Sequence, residues 1–468
     1  MSNEKSQVEI LKEKLFYDRK NAAKICSAEE VAAADAFCEG YKAFLNNAKT
    51  EREATAYTVQ KAESLGFVPF DRDKKYAAGE KVYFNNRGKS IILAVIGKKP
   101  LSAGVRLSAA HIDSPRLDLK QNPLYEDSEM ALFKTHYYGG IKKYQWTSIP
   151  LSLHGVIVKK DGTSVTVNIG EDENDPQFVV TDLLPHLANE QMKRTLADGI
   201  RGEELNILVG SRPFSSDEGA EQVKLNILNI LFQKYGMTES DFLSAELEAV
   251  PAFAARDIGL DRSMIGSYGH DDRVCAYPAA EAIFAVENPE YTAITCLTDK
   301  EEIGSEGNTG LNSSYLKYFI ADLAKANGEN YHTVLRNTHC LSADVNAAFD
   351  PTFPDVSERM NASFINGGVA IMKYTGARGK SGTSDASAEF MAKVRALLDG
   401  NDIVWQSCEL GKVDAGGGGT VAMYLAALDI DVVDLGVPVL SMHSPFEVVS
   451  KLDVYMAFRA FKAFFEER

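Results

Sequence analysis

Two adjacent glutamates, Glu301 and Glu302 in T-D-K-E-E-I-G-S-E-G, set like charges side by side. That arrangement is costly away from water unless strong positive charge lies near, and a metal ion would supply it. Residues 291–298 before the pair are β-branched and mostly apolar, so they read as a strand. The glutamates then fall just past its carboxyl end, where open α/β sheets place ligand sites. One glutamate can bind metal there while its neighbour moves protons; an isolated pair of this kind is otherwise a solvated loop.

Four more segments offer donors. His111 and Asp113 follow a strand candidate at 105–110, and an extended chain turns positions 111 and 113 to one side, so the carboxylate can orient the imidazole. Asp271 and Asp272 precede a helix predicted from about Arg273; aspartate also caps helices, which can be the whole role of Asp272. Asp344 follows the apolar-rich 340–343, and His443 follows the apolar 432–442. Each alone has an ordinary explanation, as a turn aspartate or a loop histidine. Together His111, Asp271, Glu302, Asp344 and His443 supply two imidazoles and three carboxylates, most beside predicted strand ends. The set suits two hard-to-borderline divalent ions about 3.5–4 Å apart, bridged by one carboxylate and each keeping an open position for water. Glu301, the spare glutamate, is placed to take a proton from that water.

The elements that must position these groups follow an α/β pattern. Residues 1–70 read mainly as helices, 89–97 and 105–110 as strands, and further strand candidates lie at 291–298, 340–345, 368–374, 402–408 and 431–441. After Pro123 the character changes. Val156-Ile-Val158, the turn Lys159-Lys-Asp-Gly162 and the alternating Val165, Val167 and Ile169 signal a β-hairpin. The expected fold is therefore α/β, a central mixed sheet flanked by helices, formed by 1–118 and 245–468 and interrupted by a β-rich unit at 119–244. Val454, Phe458, Phe461 and Phe465 recur at helical spacing and read as a core stripe.

The chain has 468 residues with average apolar and charged content, as in soluble globular proteins of one large or two ordinary domains. Its 50 basic and 66 acidic residues leave a net charge of -16, which disfavours nucleic acid and anionic membrane as partners. The N-terminal stretch lacks the apolar core of a signal peptide, and no apolar run approaches the ~20 residues needed to cross a bilayer. Six cysteines are widely spaced without a C-x-x-C pair, as expected of a reduced cytoplasmic protein.

The motifs H-I-D-S-P at 111–115, D-D at 271–272, D-K-E-E-I-G-S at 299–305, S-A-D-V at 342–345 and M-H-S at 442–444 resemble, in order, those of the aspartyl aminopeptidase and vacuolar aminopeptidase I family of dinuclear zinc exopeptidases. Tyr138-Gly-Gly140 and Trp146-Thr147 are similar to the family more loosely. The resemblance implies that His111 and Asp344 complete one metal site and Glu302 and His443 the other, with Asp271 bridging. Glu301 would be the general base, and Asp113 would orient His111. It also implies two zinc ions per subunit, with cobalt or manganese as substitutes, and removal of the first residue from short peptides with a free N-terminus. The oligomer implied is large, a tetrahedral dodecamer in which the insertion is a dimerisation domain. A histidine from a neighbouring insertion would approach the substrate carbonyl, with His186 the candidate ahead of His154, and Lys373 would lie near the substrate. His270 departs from the apolar residue common at that place, and the insertion reads YGGIKKYQWTSIPLS where the family has a longer Y-G-G-G…W-T-W-F-D-R-D run. These departures bear on subunit contacts and substrate preference. The alternatives are a related dinuclear deacylase or carboxypeptidase-type hydrolase, and a non-catalytic shell-forming protein that would be expected to have lost a ligand or Glu301.

Two glycine-rich stretches do not make phosphate loops. Gly376-Ala-Arg-Gly-Lys-Ser381 has two residues before its G-K-S where the phosphate-cradling loop needs four. Glycines 416–419 are expected to allow close backbone approach near the site. No H-E-x-x-H helix or G-x-S-x-G elbow occurs.

Overall fold

Residues 5–215 and 219–468 are described by a computed structural model, which contains three sheets. The largest is mixed and nine-stranded. At its centre Ala293–Thr298, Arg106–His111, His339–Ser342 and Asp431–Gly436 run side by side and parallel, so their carboxyl ends open on one edge. Strands 106–111 and 293–298 are buried throughout, as expected of β-branched and small residues covered by helices on both faces. The helices at the N-terminus start at strong local signals. Ser27 Oγ accepts from the Glu30 amide while the Glu30 carboxylate accepts from the Ser27 amide, and Thr50 and Glu53 repeat the arrangement. The terminal helix Lys451–Phe465 buries Val454, Phe461 and Phe465 and packs Phe458 at the core margin, so the stripe read from the sequence is structural.

A separate seven-stranded antiparallel sheet spans strands from Arg116 to Pro251 and has its own apolar core around Trp146, Leu151, Phe133 and Val250. It includes the hairpin of Leu151–Val158 with Ser164–Ile169, closed by a turn in which the Gly162 amide donates to the Lys159 carbonyl at 2.9 Å.

The third sheet has five short strands, Arg256–Ile258, Met264–Ser267, Glu447–Ser450, Pro438–Leu440 and Asn346–Ala347. The sequence pattern suggested one strand over 431–441. Instead the chain divides at Val437: Asp431–Gly436 stays in the large sheet, and Pro438–Leu440 pairs in the small one. Proline lacks a backbone donor, and the Val437 carbonyl is taken by the Asn346 amide at 3.0 Å, so the ladder changes partner here. The consequence is positional. Ser267, Asn346 and Leu440 stand a few residues from Asp271, Asp344 and His443, so this small sheet gathers three of the candidate ligands.

Among the described residues no helix is long and apolar enough to cross a membrane, and all six cysteines are unpaired.

Candidate metal centre

The carboxyl ends of three neighbouring strands bring His111, Asp344 and the 301–302 pair together, and the small sheet adds Asp271 and His443. His111 Nδ1 donates to the Asp113 carbonyl at 3.0 Å, which turns Nε2 toward Asp271 Oδ1 at 3.1 Å. His443 repeats this on the other side. Its Nδ1 donates to the Gly140 carbonyl at 2.7 Å, and its Nε2 faces Asp271 Oδ2 at 3.1 Å and Glu302 Oε1 at 3.5 Å. The two oxygens of Asp271 therefore address the two imidazoles separately, as a bridging carboxylate must. Among the described residues two overlapping donor groups are compact enough for a cation: His111, Glu301 and Asp344, and His111, Asp271 and Glu302. Glu301 lies on the His111 and Asp344 side, with Oε2 3.9 Å from His111 Nε2.

The charge balance at this site is poor in cations. Burial alone would lower both imidazoles. For His111 the carboxylates of Asp113, Asp271 and Asp344 outweigh it, and for His443 the Asp271 hydrogen bond and the Glu302 charge push the ring up to about 10. Burial also raises carboxyl groups, but His111 and His443 outweigh it at Asp271 and hold that group below its ordinary range. At the other carboxyls the imidazoles act downward but do not prevail. Burial and then Asp344 push Glu301 up to about 8, burial and Asp271 hold Glu302 well above its usual range, and burial raises Asp344. Glu302 Oε1 is buried without a hydrogen-bond partner. An orphaned oxygen among imidazoles and carboxylates fits a mixed nitrogen and oxygen site for zinc.

The remaining residues differ in what they touch. Asp113 touches His111 chiefly through its carbonyl. Its carboxylate, with Oδ1 3.4 Å from His111 Nδ1, accepts instead from the Glu301 and Glu302 amides, each at 3.1 Å, and from the Tyr138 hydroxyl at 2.8 Å. Asp272 makes no capping hydrogen bond. It is fully buried, its oxygens accept from no backbone amide, and burial followed by the Asp344 charge holds its carboxyl well above the usual range, so capping is not its role. His270 faces away: Nε2 donates to the Ile265 carbonyl at 3.1 Å and Nδ1 accepts from the Tyr41 hydroxyl at 2.7 Å, and burial drops its pKa to about 3. Lys373 pairs with Asp385 at 2.6 Å, outside the donor groups. His186 is exposed on the seven-stranded unit, while His154 is buried there between Glu53 and Glu171. Gly417 has φ +95°, and a Cβ there would meet the Gly376 carbonyl at 1.8 Å, so the glycine run packs loop on loop.

Sequence reading missed Glu447. It is buried, and its two oxygens accept from the Asp271 amide at 3.1 Å and the His443 amide at 2.7 Å, tying two candidate ligands to one carboxylate. Its only signal was a glutamate four residues after His443.

The profile of the family described as aminopeptidase I zinc metalloprotease (M18) matches residues 44–465. The chain belongs to this family. The M18 assignment is supported by a probable M18 family aminopeptidase 1 of Clostridium acetobutylicum, 48% identical over 458 residues covering 96% of this chain and 98% of the relative. The M18 aminopeptidase structure from Thermotoga maritima is 45% identical, with a TM-score of 0.91 over 97% of this chain and all of that one. The S. cerevisiae mApe1 dodecamer, at 21% identity over 93% of this chain and 97% of that chain, shares the fold with a TM-score of 0.76. Membership makes the protein a metal-dependent aminopeptidase with the zinc exopeptidase-like fold. The resemblance read from the motifs thus holds at the level of the M18 aminopeptidases.

Proposed function

We propose that the protein removes the N-terminal residue from short peptides at a dinuclear centre in which His111 and Asp344 hold one ion, Glu302 and His443 the other, and Asp271 bridges. The observation that carries this reading is the Asp271 carboxylate, with one oxygen 3.1 Å from each imidazole. Two divalent ions, most suitably zinc, would supply Lewis acidity toward the scissile carbonyl and a nucleophilic water near neutral pH. The chain's own groups do the rest. Glu301, on a loop whose amides are pinned by Asp113, accepts the proton of the attacking water and returns it to the leaving amine. Its upward-shifted carboxyl reflects the same burial and negative surroundings that cations would offset.

We assign the 119–244 unit to self-association in a homo-oligomer, with a dodecamer as the expected form. Leu183, Leu184, Leu187, Met192 and Leu196 are between 50% and 73% exposed around His186. An apolar segment of that kind on a folded unit fits burial against a second copy. His186 delivered by a neighbouring subunit would donate to the developing oxyanion, and Lys373 would sit at the substrate end. A cytoplasmic setting fits the six unpaired thiols.

The deciding experiment measures bound zinc in the purified protein and then hydrolysis of Asp, Glu, Leu and Lys substrates with free or blocked amino termini, after chelation and metal return. Two ions per chain and metal-restored release from free N-termini are expected. Preference for blocked termini would turn the reading to a deacylase.

A further inference from the structure

The strand Met130–Tyr138 belongs to the seven-stranded sheet, where it pairs with Arg116–Asp127 and Ile207–Gly210. Its last residues leave that sheet and enter the candidate metal centre. The Tyr138 hydroxyl donates to Asp113 Oδ2 at 2.8 Å, and the Arg116 guanidinium lies 3.9 Å from the Tyr138 ring centroid, fixing the ring between a cation and a carboxylate. Burial and the Asp113 charge raise the phenol far above its usual range, so the hydroxyl remains a donor. Gly139 follows with φ +75°; a Cβ there would lie 3.1 Å from Glu302 Oε2 and 3.3 Å from Pro115 Cγ. Gly140 then presents its carbonyl to His443 Nδ1 at 2.7 Å.

Three consecutive residues of the insertion thus touch both halves of the site. Through Asp113 they reach the amides of Glu301 and Glu302, and through the Gly140 carbonyl they set which nitrogen of His443 faces Asp271 and Glu302. Groups one contact away from metal ligands orient them and tune affinity.

We propose that the Tyr138–Gly139–Gly140 corner positions the metal ligands, so that the inserted sheet is a structural part of the metal centre as well as a surface for association. This rests on the reading of His111, Asp271, Glu302, Asp344 and His443 as ligands. Tyr138 acts through Asp113 and is a positioning residue.

The test compares the full-length parent protein with Tyr138→Phe, Gly139→Ala and the neighbouring control Tyr137→Phe. Zinc affinity is read by chelator competition, the visible absorption of the cobalt-loaded protein reports ligand geometry, and the metal-free melting transition reports the fold. Tyr138→Phe and Gly139→Ala are expected to weaken zinc by about 10- to 100-fold and to change the cobalt spectrum, while Tyr137→Phe matches the parent. Parental affinity and spectrum in a folded Tyr138→Phe or Gly139→Ala protein overturn the proposal. A parent that binds no zinc overturns the ligand reading itself, which is a separate result.

Discussion

Two charged clusters, each with a buried centre, lie on either side of Tyr138, and they are balanced in opposite ways. On one side Arg116 and Lys89 serve Glu51, Glu246, Glu248 and Asp118. Arg116 is 2.8 Å from Asp118, 3.3 Å from Glu248 and 3.4 Å from Glu51, and Lys89 is 2.9 Å from Glu246 and 3.7 Å from Glu51. On the other side, among the described residues, the ion pairs of Asp113, Asp271, Glu301, Glu302 and Asp344 are all to the imidazoles of His111 and His443, and Asp272 has none. Both clusters are rich in acid, so acid content does not identify a metal site. The difference is the supply of fixed cations: the first cluster carries its own, and the second has a deficit that suits mobile divalent ions.

That contrast can be broken most sharply at Glu301. Replacing it by Gln removes an ionisable carboxyl from the cation-poor cluster, so the metal-free protein should melt no lower than the parent and zinc should still bind. Turnover should fall about 100- to 10,000-fold, the usual range for loss of a general acid–base group. Steady-state rates beside zinc content and melting curves check this; a fully active Glu301→Gln enzyme would remove Glu301 from the mechanism.

Arg116→Met should do the reverse. It strips the cation from Glu51 and Glu248, both almost fully buried, and is expected to destabilise the fold by about 3–5 kcal/mol in urea titrations. A loss near zero would mean that the first cluster does not depend on its internal pairing. Zinc supplies the corresponding test of the second cluster. At a free concentration 100 times the dissociation constant, one bound ion should stabilise the parent by about 2.7 kcal/mol, read as a rise in melting temperature that a chelator reverses.

The smallest effect is expected at His154, where a third, cation-matched cluster joins the helix Glu51–Ser64 to the inserted sheet. Its Nδ1 is 2.7 Å from Glu53 Oε1, its Nε2 is 3.0 Å from Glu171 Oε1, and Lys49 lies 2.7 Å from the same Glu171 oxygen. Burial would lower the imidazole, but the two glutamates outweigh it and raise its pKa above 6.5. Its stabilising contribution is therefore complete below pH 6.5 and is lost as the pH rises through the raised value. For Glu171 burial acts upward but His154 and Lys49 prevail, holding it at about 2 against an ordinary 4.5. That contribution is present above pH 4.5 and is lost as the pH falls toward 2. Urea midpoints across pH should show both declines in the parent and flatter profiles in His154→Gln; equal slopes would show that the pairs are not coupled to folding.

Much of the fold was legible because its signals are local. The short β-branched run at 293–298 reads as a strand from its length and composition, and the Asp161-Gly162 hairpin and the Val454, Phe461 and Phe465 stripe carry local patterns of turn residues and spacing. The five-stranded sheet was not legible, since strands as short as Asn346–Ala347 and Pro438–Leu440 are too brief to show a period and are held by partners distant in sequence. Asp272 was misread for a related reason. Aspartate before a helix is a local capping signal, whereas its complete burial is set by packing from elsewhere in the chain.

The sequence by itself determined the candidate donors, the order of their motifs and the membership of the chain in the M18 aminopeptidases, because residue types and short spacings survive without knowledge of contacts. Only the tertiary structure decided that Asp271 offers one oxygen to each imidazole, that Glu447 ties the Asp271 and His443 backbones together, and that the Tyr138–Gly140 corner reaches both halves of the centre. Most of these contacts join residues more than a hundred positions apart, and the Gly140 contact depends on a single backbone carbonyl. Such orientation arises when separate sheets pack, and no local pattern records it.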